Sequence, residues 1–336
     1  MYKIICQVEI LTPMFLGGAK QADNDKSICE LRTQSIKGVI RYWYRALVGP
    51  DRLNGEAELF GSSDKKIGVS KLKIAITDKS NINFYGKSKF DEINQYVFKH
   101  PTKGFTINPL NYLAYGVVDN KRQIIRGALA PGCTFKIKLF LQCSNNIQLN
   151  DFYKSLYLML NFGGLGSRSR KGYGATKLLN EEEICNGQDW FLKGDITNTL
   201  KNIIHNKAPI KSLYSKEYSY LDTDTRFWLS KETKNTWEEC LSMLGKHYHE
   251  WRQVLPVADG RENLGTPLLH GKNEIKDRRR ASSYFLTVFK INKNEYKYGV
   301  LHIPSNYSGN MIPYNVQQEH HAKFQREIEK NADREV

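Results

Sequence analysis

The chain has few cysteines, and they are scattered. The six, Cys6, Cys29, Cys133, Cys143, Cys185 and Cys240, form no Cys-x-x-Cys pair. This spacing matches neither a structural zinc site nor the disulfide framework of a small secreted domain. We therefore expect reduced thiols, no metal and no cofactor, in a cytoplasmic protein.

Long apolar runs are absent as well. The longest ones, such as Leu156–Leu160, fall far short of the ~18 residues that a membrane-spanning helix requires. Residues 1–10 show no charged leader followed by an apolar stretch and a small-residue cleavage site. We expect a protein that is neither secreted nor inserted in a membrane.

No histidine precedes His100, which argues against a metal-free nuclease in the first half, and no serine or cysteine has the sequence context of a catalytic nucleophile. His247 and His249 are two positions apart in a predicted helix, whereas a zinc-binding helix places its histidines four apart. His320 and His321 lie in a polar tail. We expect all of these histidines to be structural or exposed.

Positive charge is abundant, and it is concentrated in one half of the chain. The net charge is +15, and residues 1–180 hold 27 Lys/Arg against 13 Asp/Glu, whereas residues 181–336 hold 23 against 22. A one-sided basic surface attracts a polyanion by counterion release. Charge alone does not separate a nucleic-acid-binding protein from one that is merely basic. No long basic amphipathic helix indicates a membrane surface.

Hydropathy patterns predict an α+β fold. In the first half we expect a strand over 2–11, a helix over 36–48 with Ser35 as its cap, strands over 71–77 and 134–142, a helix over 151–162 and a strand over 175–179. This order is typical of a ferredoxin-like sheet with two helices on one face.

Three glutamates at 181–183 mark a boundary, which gives two domains, 1–180 and 181–336. The second half predicts a helix over 233–253, a hairpin of strands near 283–291 and 296–303, and a helical tail.

The helix predicted over 36–48 carries a basic stripe. Lys37, Arg41 and Arg45 recur four residues apart and so share one face, away from apolar residues such as Ile36 and Trp43. Such a stripe is most often a solvated surface. Since no acidic residue stands between these cations, we expect an external anion to balance them.

A glycine-rich segment, Gly163–Gly174, follows the second predicted helix. Glycines let the backbone approach a ligand closely, so N–H groups and interleaved cations can surround phosphates. The segment matches neither a Walker A loop nor a dinucleotide-binding fingerprint, and a flexible surface loop is the alternative interpretation. Its candidate phosphate-binding residues are Gly163, Gly164, Gly166, Arg168, Ser169, Arg170 and Lys171.

Two further groups are weaker candidates. The run Arg278-Arg279-Arg280 fits a nucleic-acid contact, but short basic runs are common on solvated surfaces. Asp23 and Asp25, in the loop after the first predicted strand, are the first-half acids best placed to hold Mg²⁺ for catalysis. Aspartates in such loops more often make turn hydrogen bonds or face water.

Taken together, several segments resemble the RAMP superfamily of CRISPR proteins, and within it the branch that supplies subunit one of type III-B Cmr effector complexes. The segments are Thr12–Ala19, Glu30–Leu47, Glu58–Ser62, Gly163–Gly174, Gly265–Pro267 and Arg279–Ser282. The segments around the first helix and the glycines are the most specific. They span most of the chain.

The resemblance implies two ferredoxin-like (RRM-like) domains, the second with helical insertions. It also implies a non-catalytic RNA-binding subunit of a crRNA-guided antiviral complex, which holds the 3′ part of the guide and the target RNA beside other Cmr-complex subunits. The RNA contacts would be Lys37, Arg41, Arg45, Arg168, Arg170 and Lys171. The alternative is a metal-dependent RAMP ribonuclease that cuts target RNA through Asp23 or Asp25.

Overall fold

A computed structural model describes residues 1–17, 29–49, 53–64, 66–79, 81–86, 89–90, 96–100, 103–205, 219–256, 261–265, 281–305 and 314–336. The strands are β1 (Tyr2–Ile10), β2 (Met14–Phe15), β3 (Leu72–Thr77), β4 (Phe98–Lys99), β5 (Thr106–Ile107), β6 (Ala128–Leu129), β7 (Thr134–Leu141), β8 (Thr176–Leu178), β9 (Arg226–Ser230), β10 (Tyr284–Asn292), β11 (Glu295–His302) and β12 (Ala332–Arg334). The helices are α1 (Thr33–Val48), α2 (Leu53–Phe60), α3 (Pro109–Leu113), α4 (Asn146–Leu158), α5 (Glu181–Cys185), α6 (Ile196–His205), α7 (Trp237–Trp251) and α8 (Tyr314–Glu329).

The first sheet contains β3, β7, β1 and β8 in that order, with every neighbouring pair antiparallel. Alternate residues of β1 and β7 are buried, from Ile4 to Ile10 and from Phe135 to Leu141. They share one core with the apolar faces of α1 and α4. The residues between them point to the opposite face of the sheet, because side chains alternate along a strand.

The second sheet contains β10, β11, β9 and β12 in that order. Its elements follow the chain as β9, α7, β10, β11, α8 and β12. When α2, α3 and the two-residue strands β2, β4, β5 and β6 are set aside, the first half follows the chain as β1, α1, β3, β7, α4 and β8. Both sheets then share the order strand-helix-strand-strand-helix-strand, and in both the strands lie side by side as second, third, first and fourth. The predicted hairpin of the second half is present as β10 and β11.

Two helix boundaries differ from the sequence prediction. Helix α1 begins at Thr33, so Ser35 is inside the helix, and the N-cap is Arg32, without a side-chain hydrogen bond. Helix α4 begins at Asn146, five residues before the predicted start, because the side chain of Asn145 accepts a hydrogen bond from the Gln148 N–H at 2.8 Å.

Both halves of the chain contribute to each of the two buried clusters. One cluster joins β1, α1 and α4 to Phe227 and Phe285 from the second half. The other joins Phe15 and Tyr173 to α7 and β10. Trp190, which follows the predicted boundary at 180, belongs to the first cluster. The division into domains 1–180 and 181–336 stays a prediction, and residues from both halves share each buried cluster.

No helix in the described ranges is long and apolar enough to cross a membrane.

Candidate nucleic-acid interface

The basic stripe of α1 has an acidic partner on the next helix. Glu56 accepts hydrogen bonds from Nε of Arg41 and from Nε and Nη2 of Arg45, the latter two at 2.7 Å. The Glu56 side chain is 3% exposed, whereas each arginine side chain is 37% exposed. The expectation that no protein acid balances the stripe is wrong, because folding brings α2 against α1.

The stripe nevertheless keeps an excess of positive charge. Burial raises the pKa of Glu56, but hydrogen bonds from Arg45 and Arg41 outweigh it and hold the pKa below its usual value. This single carboxylate therefore stays ionised beside three cations. Burial and the neighbouring charge of Arg41 lower the pKa of Lys37, as expected where like charges are crowded.

The glycines of Gly163–Gly174 are required by packing inside the protein. A Cβ on Gly163 would lie 2.8 Å from Cε2 of Trp43, and one on Gly172 would lie 2.5 Å from Cδ1 of Leu241. Residues 163–165 and 172–174 are buried. Both ends of the segment are therefore packed inside the protein, and their glycines allow close contacts with the protein itself.

Arg168, Arg170 and Lys171 also have partners within the protein. Nε of Arg168, whose φ is +65°, donates to the carbonyl of Leu113 at 3.0 Å. Nζ of Lys171 donates to the hydroxyl of Tyr248 at 2.5 Å.

The guanidinium of Arg170 bridges the two halves of the chain. It lies over the rings of Tyr42 and Phe285, 4.8 and 4.3 Å from their centroids, and donates to the Ser282 carbonyl. The contact of these three cations with RNA stays a prediction, since nothing in the structure tests it and each side chain is held by protein.

The other candidates cannot be placed. Asp23, Asp25 and the run Arg278-Arg279-Arg280 lie outside the described residues. Within the ranges that the structure does describe, no group of three or more His, Cys, Asp or Glu residues could hold a metal ion.

The open face of the first sheet is a feature that the sequence prediction did not single out. Lys138 of β7 lies between Ile5 of β1 and Ala75 of β3. In the adjacent row, Phe140 lies between Lys3 and Lys73. Side chains opposite one another on neighbouring strands are about 5 Å apart, so these lysines flank a half-buried aromatic ring.

This face also holds Lys136, which forms an ion pair with Asp78 at 2.7 Å. Hydrogen bonding and the charge of Lys136 hold the pKa of Asp78 below its usual value. Lys3 and Lys73 are exposed. An aromatic ring among exposed cations on a sheet can stack a base and bind flanking phosphates. The alternation of lysine with apolar residues over 134–142 was the signal that could have identified this face.

A cavity of about 700 Å³ is the second feature that was missed. Its lining combines residues near β4 and β5, the helix α3 and the end of α7, and includes Arg252, Arg261, His249, Tyr112 and Phe105. No sequence motif joins these segments, since 78–130 had no clear pattern and its contact with α7 arises only on folding.

Comparison with known proteins places this geometry in a family. The RAMP superfamily model matches residues 7–177, half of the chain. The chain belongs to the RAMP superfamily. The matched region of this RAMP protein contains α1, the glycine-rich segment, β3 and β7, and parts of β1 and β8. Arg252 and Arg261 of the cavity lie beyond it.

Individual relatives of this RAMP protein are Cmr subunits of CRISPR systems. It is 26% identical over 285 residues to the CRISPR system Cmr subunit Cmr1-1 of Pyrococcus furiosus, covering 80% of this chain and 78% of that protein. The crystal structure of Cmr1 from Pyrococcus furiosus in its apo form superposes with a TM-score of 0.63 at 21% identity, over 100% of this chain and 99% of that one. A chain of the type III-B Cmr-beta complex bound to cognate target RNA gives 0.51 at 14% identity, over 96% and 99%. These structural likenesses show the fold.

Proposed function

We propose that this RAMP protein is a non-catalytic, RNA-binding subunit of a crRNA-guided type III-B CRISPR effector complex in antiviral defence. In this role it holds the 3′ part of the guide and the target RNA, beside other Cmr-complex subunits in the cytoplasm. The Cmr1 relatives support the choice of complex. The shared element order of the two sheets supports a pair of ferredoxin-like domains, which is part of the same proposal.

The observation that carries RNA binding is the lysine-flanked open face of the first sheet. Lys3, Lys73 and Lys138 surround Phe140 on strands whose opposite face is buried under helices. Sheets of this kind bind single-stranded RNA by stacking bases on aromatic residues while cations contact the backbone. Phosphate contacts of this type fix the strand without reading its sequence. Lys37 and the partly exposed Arg41 and Arg45 form a second basic surface, on a helix that packs against the other face of this sheet.

The experiment is binding of a fluorescent single-stranded RNA across a salt series. Lys73→Gln with Lys138→Gln should reduce the slope of log affinity against log salt by about 1.4, because each lost phosphate contact on a single strand removes about 0.7. Phe140→Ala should weaken binding at every salt concentration and leave the slope unchanged. A matched control is Lys323→Gln with Lys330→Gln, which replaces an exposed lysine in α8 and another just after it and should change neither quantity.

Two results would contradict the proposal. One is an absence of RNA binding by the wild-type protein at low salt. The other is Mg²⁺-dependent RNA fragments on a denaturing gel that disappear in the Asp23→Ala, Asp25→Ala double variant. That second result would establish the metal-dependent ribonuclease instead.

A further inference from the structure

The cavity between β4–β5, α3 and the end of α7 is lined by two arginines whose hydrogen-bonding capacity the described residues fill only in part. Nε of Arg252 and Nε of Arg261 are both buried and have no hydrogen-bond partner among the described residues. Nη2 of Arg261 donates to Oε1 of Gln253 at 3.4 Å. Nη1 of Arg252 does donate to the Tyr112 hydroxyl at 2.5 Å. Buried donors are almost always paired, so two unpaired guanidinium nitrogens beside one cavity favour an acceptor that the described residues do not supply.

The described lining of the cavity also carries further positive charge. No Asp or Glu is among the described lining residues, whereas Lys103 and Arg122 are, with their side chains exposed. Near the lining residue Arg252, burial and the charges of Arg168 and Arg252 lower the pKa of Lys171 well below its usual value. An anion in the cavity would reduce this repulsion.

A row of rings lines the same cavity. Phe105, 52% exposed, lies 4.9 Å from His100 between ring centroids, and His100 lies 5.6 Å from His249. His249 in turn lies 5.4 Å from Tyr112. Burial and the charge of His100 lower the pKa of His249 to about 4, so its ring is neutral at pH 7. An exposed ring at the end of this row offers a face to a planar group.

We propose that this cavity binds one nucleotide of a single-stranded RNA, with its phosphate on Arg252 and Arg261 and its base against Phe105. The volume lies within the roughly 300–1,000 Å³ that is common for ligand pockets. A polymer fits better than a free nucleotide, because the exposed Lys103 and Arg122 extend the positive charge to where flanking phosphates would lie. This assignment rests on the proposed function, and it adds a site apart from the open face of the first sheet.

The test uses the full chain, with adenosine monophosphate (AMP), adenosine, inorganic phosphate and a single-stranded oligoribonucleotide as probes. AMP should raise the melting temperature of the wild-type protein, and adenosine should not. Arg252→Gln with Arg261→Gln should abolish the AMP shift and weaken oligoribonucleotide binding at least about tenfold. The matched control, Arg326→Gln with Arg334→Gln, removes two exposed arginines and should behave as wild type.

Phe105→Ala keeps the test decisive if the double arginine variant fails to fold, since this ring is largely exposed. It should weaken AMP binding about tenfold, as loss of base stacking does, and leave binding of inorganic phosphate unchanged. Equal AMP affinity in wild type and Phe105→Ala would overturn the assignment of the base.

The remaining outcomes separate this inference from the proposed function. The cavity site alone would be overturned if a folded Arg252→Gln, Arg261→Gln variant bound the oligoribonucleotide with unchanged affinity. In that case the Lys73→Gln, Lys138→Gln variant would still bind it more weakly. Binding of AMP without any competition by the oligoribonucleotide would assign the cavity to a free nucleotide and overturn the inference. Absence of RNA binding by the wild-type protein would refute the proposed function and this inference together.

Discussion

Glu56 is the residue on which the basic stripe of α1 depends. Glu56→Gln should lower the free energy of unfolding by about 1–3 kcal/mol, less than the loss of a fully buried partner, because Arg41 and Arg45 are partly solvated. The same change should strengthen RNA binding and steepen its salt dependence, since it releases two guanidiniums. Urea unfolding and the RNA salt series measure the two effects.

The control for this change is Glu58→Gln on the same helix. Glu58 accepts a hydrogen bond from the Ser144 hydroxyl at 3.0 Å, and its substitution alters the net charge by the same amount. Equal effects of the two variants on RNA binding would show that only net charge matters and that the stripe is no special contact.

Replacing glycine by alanine should change the stability of the protein in opposite directions at Gly163 and Gly38. Gly163→Ala should destabilise the protein by about 1–3 kcal/mol, because the new methyl group would overlap the indole of Trp43. Gly38→Ala should stabilise it by about 0.5–1 kcal/mol, because Gly38 is an exposed position inside α1 with nothing within 4 Å of the added carbon. Thermal unfolding of both variants checks the pair, and a stable Gly163→Ala protein would refute the packing argument.

Acid should weaken the fold through a partly buried histidine, His247. Burial and the charge of Lys246 lower the pKa of His247 from 6.5 to about 4. Between these values the unfolded chain binds a proton that the folded protein does not, so the free energy of unfolding falls as pH falls from 6.5 to 4. Urea unfolding at several pH values should give a flatter profile for His247→Gln than for the exposed-site variant His205→Gln.

At the scale of elements, we expect the glycine-rich segment to hold the two halves of the chain together through its side-chain contacts. Arg168→Ala with Arg170→Ala removes a hydrogen bond to α3 and the stacking of a guanidinium on rings from both halves, so we expect a loss of about 2 kcal/mol or more. If these side chains act only within the protein, the salt slope of RNA binding stays unchanged at temperatures where the variant is folded. A shallower slope would instead support the predicted RNA contact. Arg326→Ala with Arg334→Ala is the charge-matched control.

The sequence predicts the long strands of the first sheet better than the short strands between residues 78 and 130. Alternation over 2–11 and 134–142 predicted β1 and β7 because one face of each is buried, and burial leaves a pattern of period two. The short strands between 78 and 130 have two residues each, too few for any pattern.

The candidate site was predicted only in part, because local spacing shows which side chains share a face but not which distant residues contact them. Local spacing identified Lys37, Arg41 and Arg45, but the acid that pairs with two of them belongs to another helix. Arg252 and Arg261 gain their environment from α3 and β5, which are more than a hundred residues away in sequence. Contacts of this range leave no trace in local composition.

At the scale of the whole molecule, unfolding should be a single transition. Each buried cluster draws on both halves, so neither half retains a complete core by itself. A fragment of residues 1–180 should therefore lack a cooperative thermal transition, whereas the full chain should show one by circular dichroism and by intrinsic fluorescence at the same temperature. A sharply melting fragment would show that the first domain is independent.

The shared clusters also constrain how such a chain can change over generations. A gene carrying a first half from one lineage and a second half from another would join surfaces that never adapted to each other, such as the ring of Phe285 and the indole of Trp43, 5.1 Å apart between centroids. Exchange at the junction near residue 180 would be selected against, and accepted substitutions on either side would accumulate in matched pairs. The two sheets, for all their likeness, are inherited as one unit.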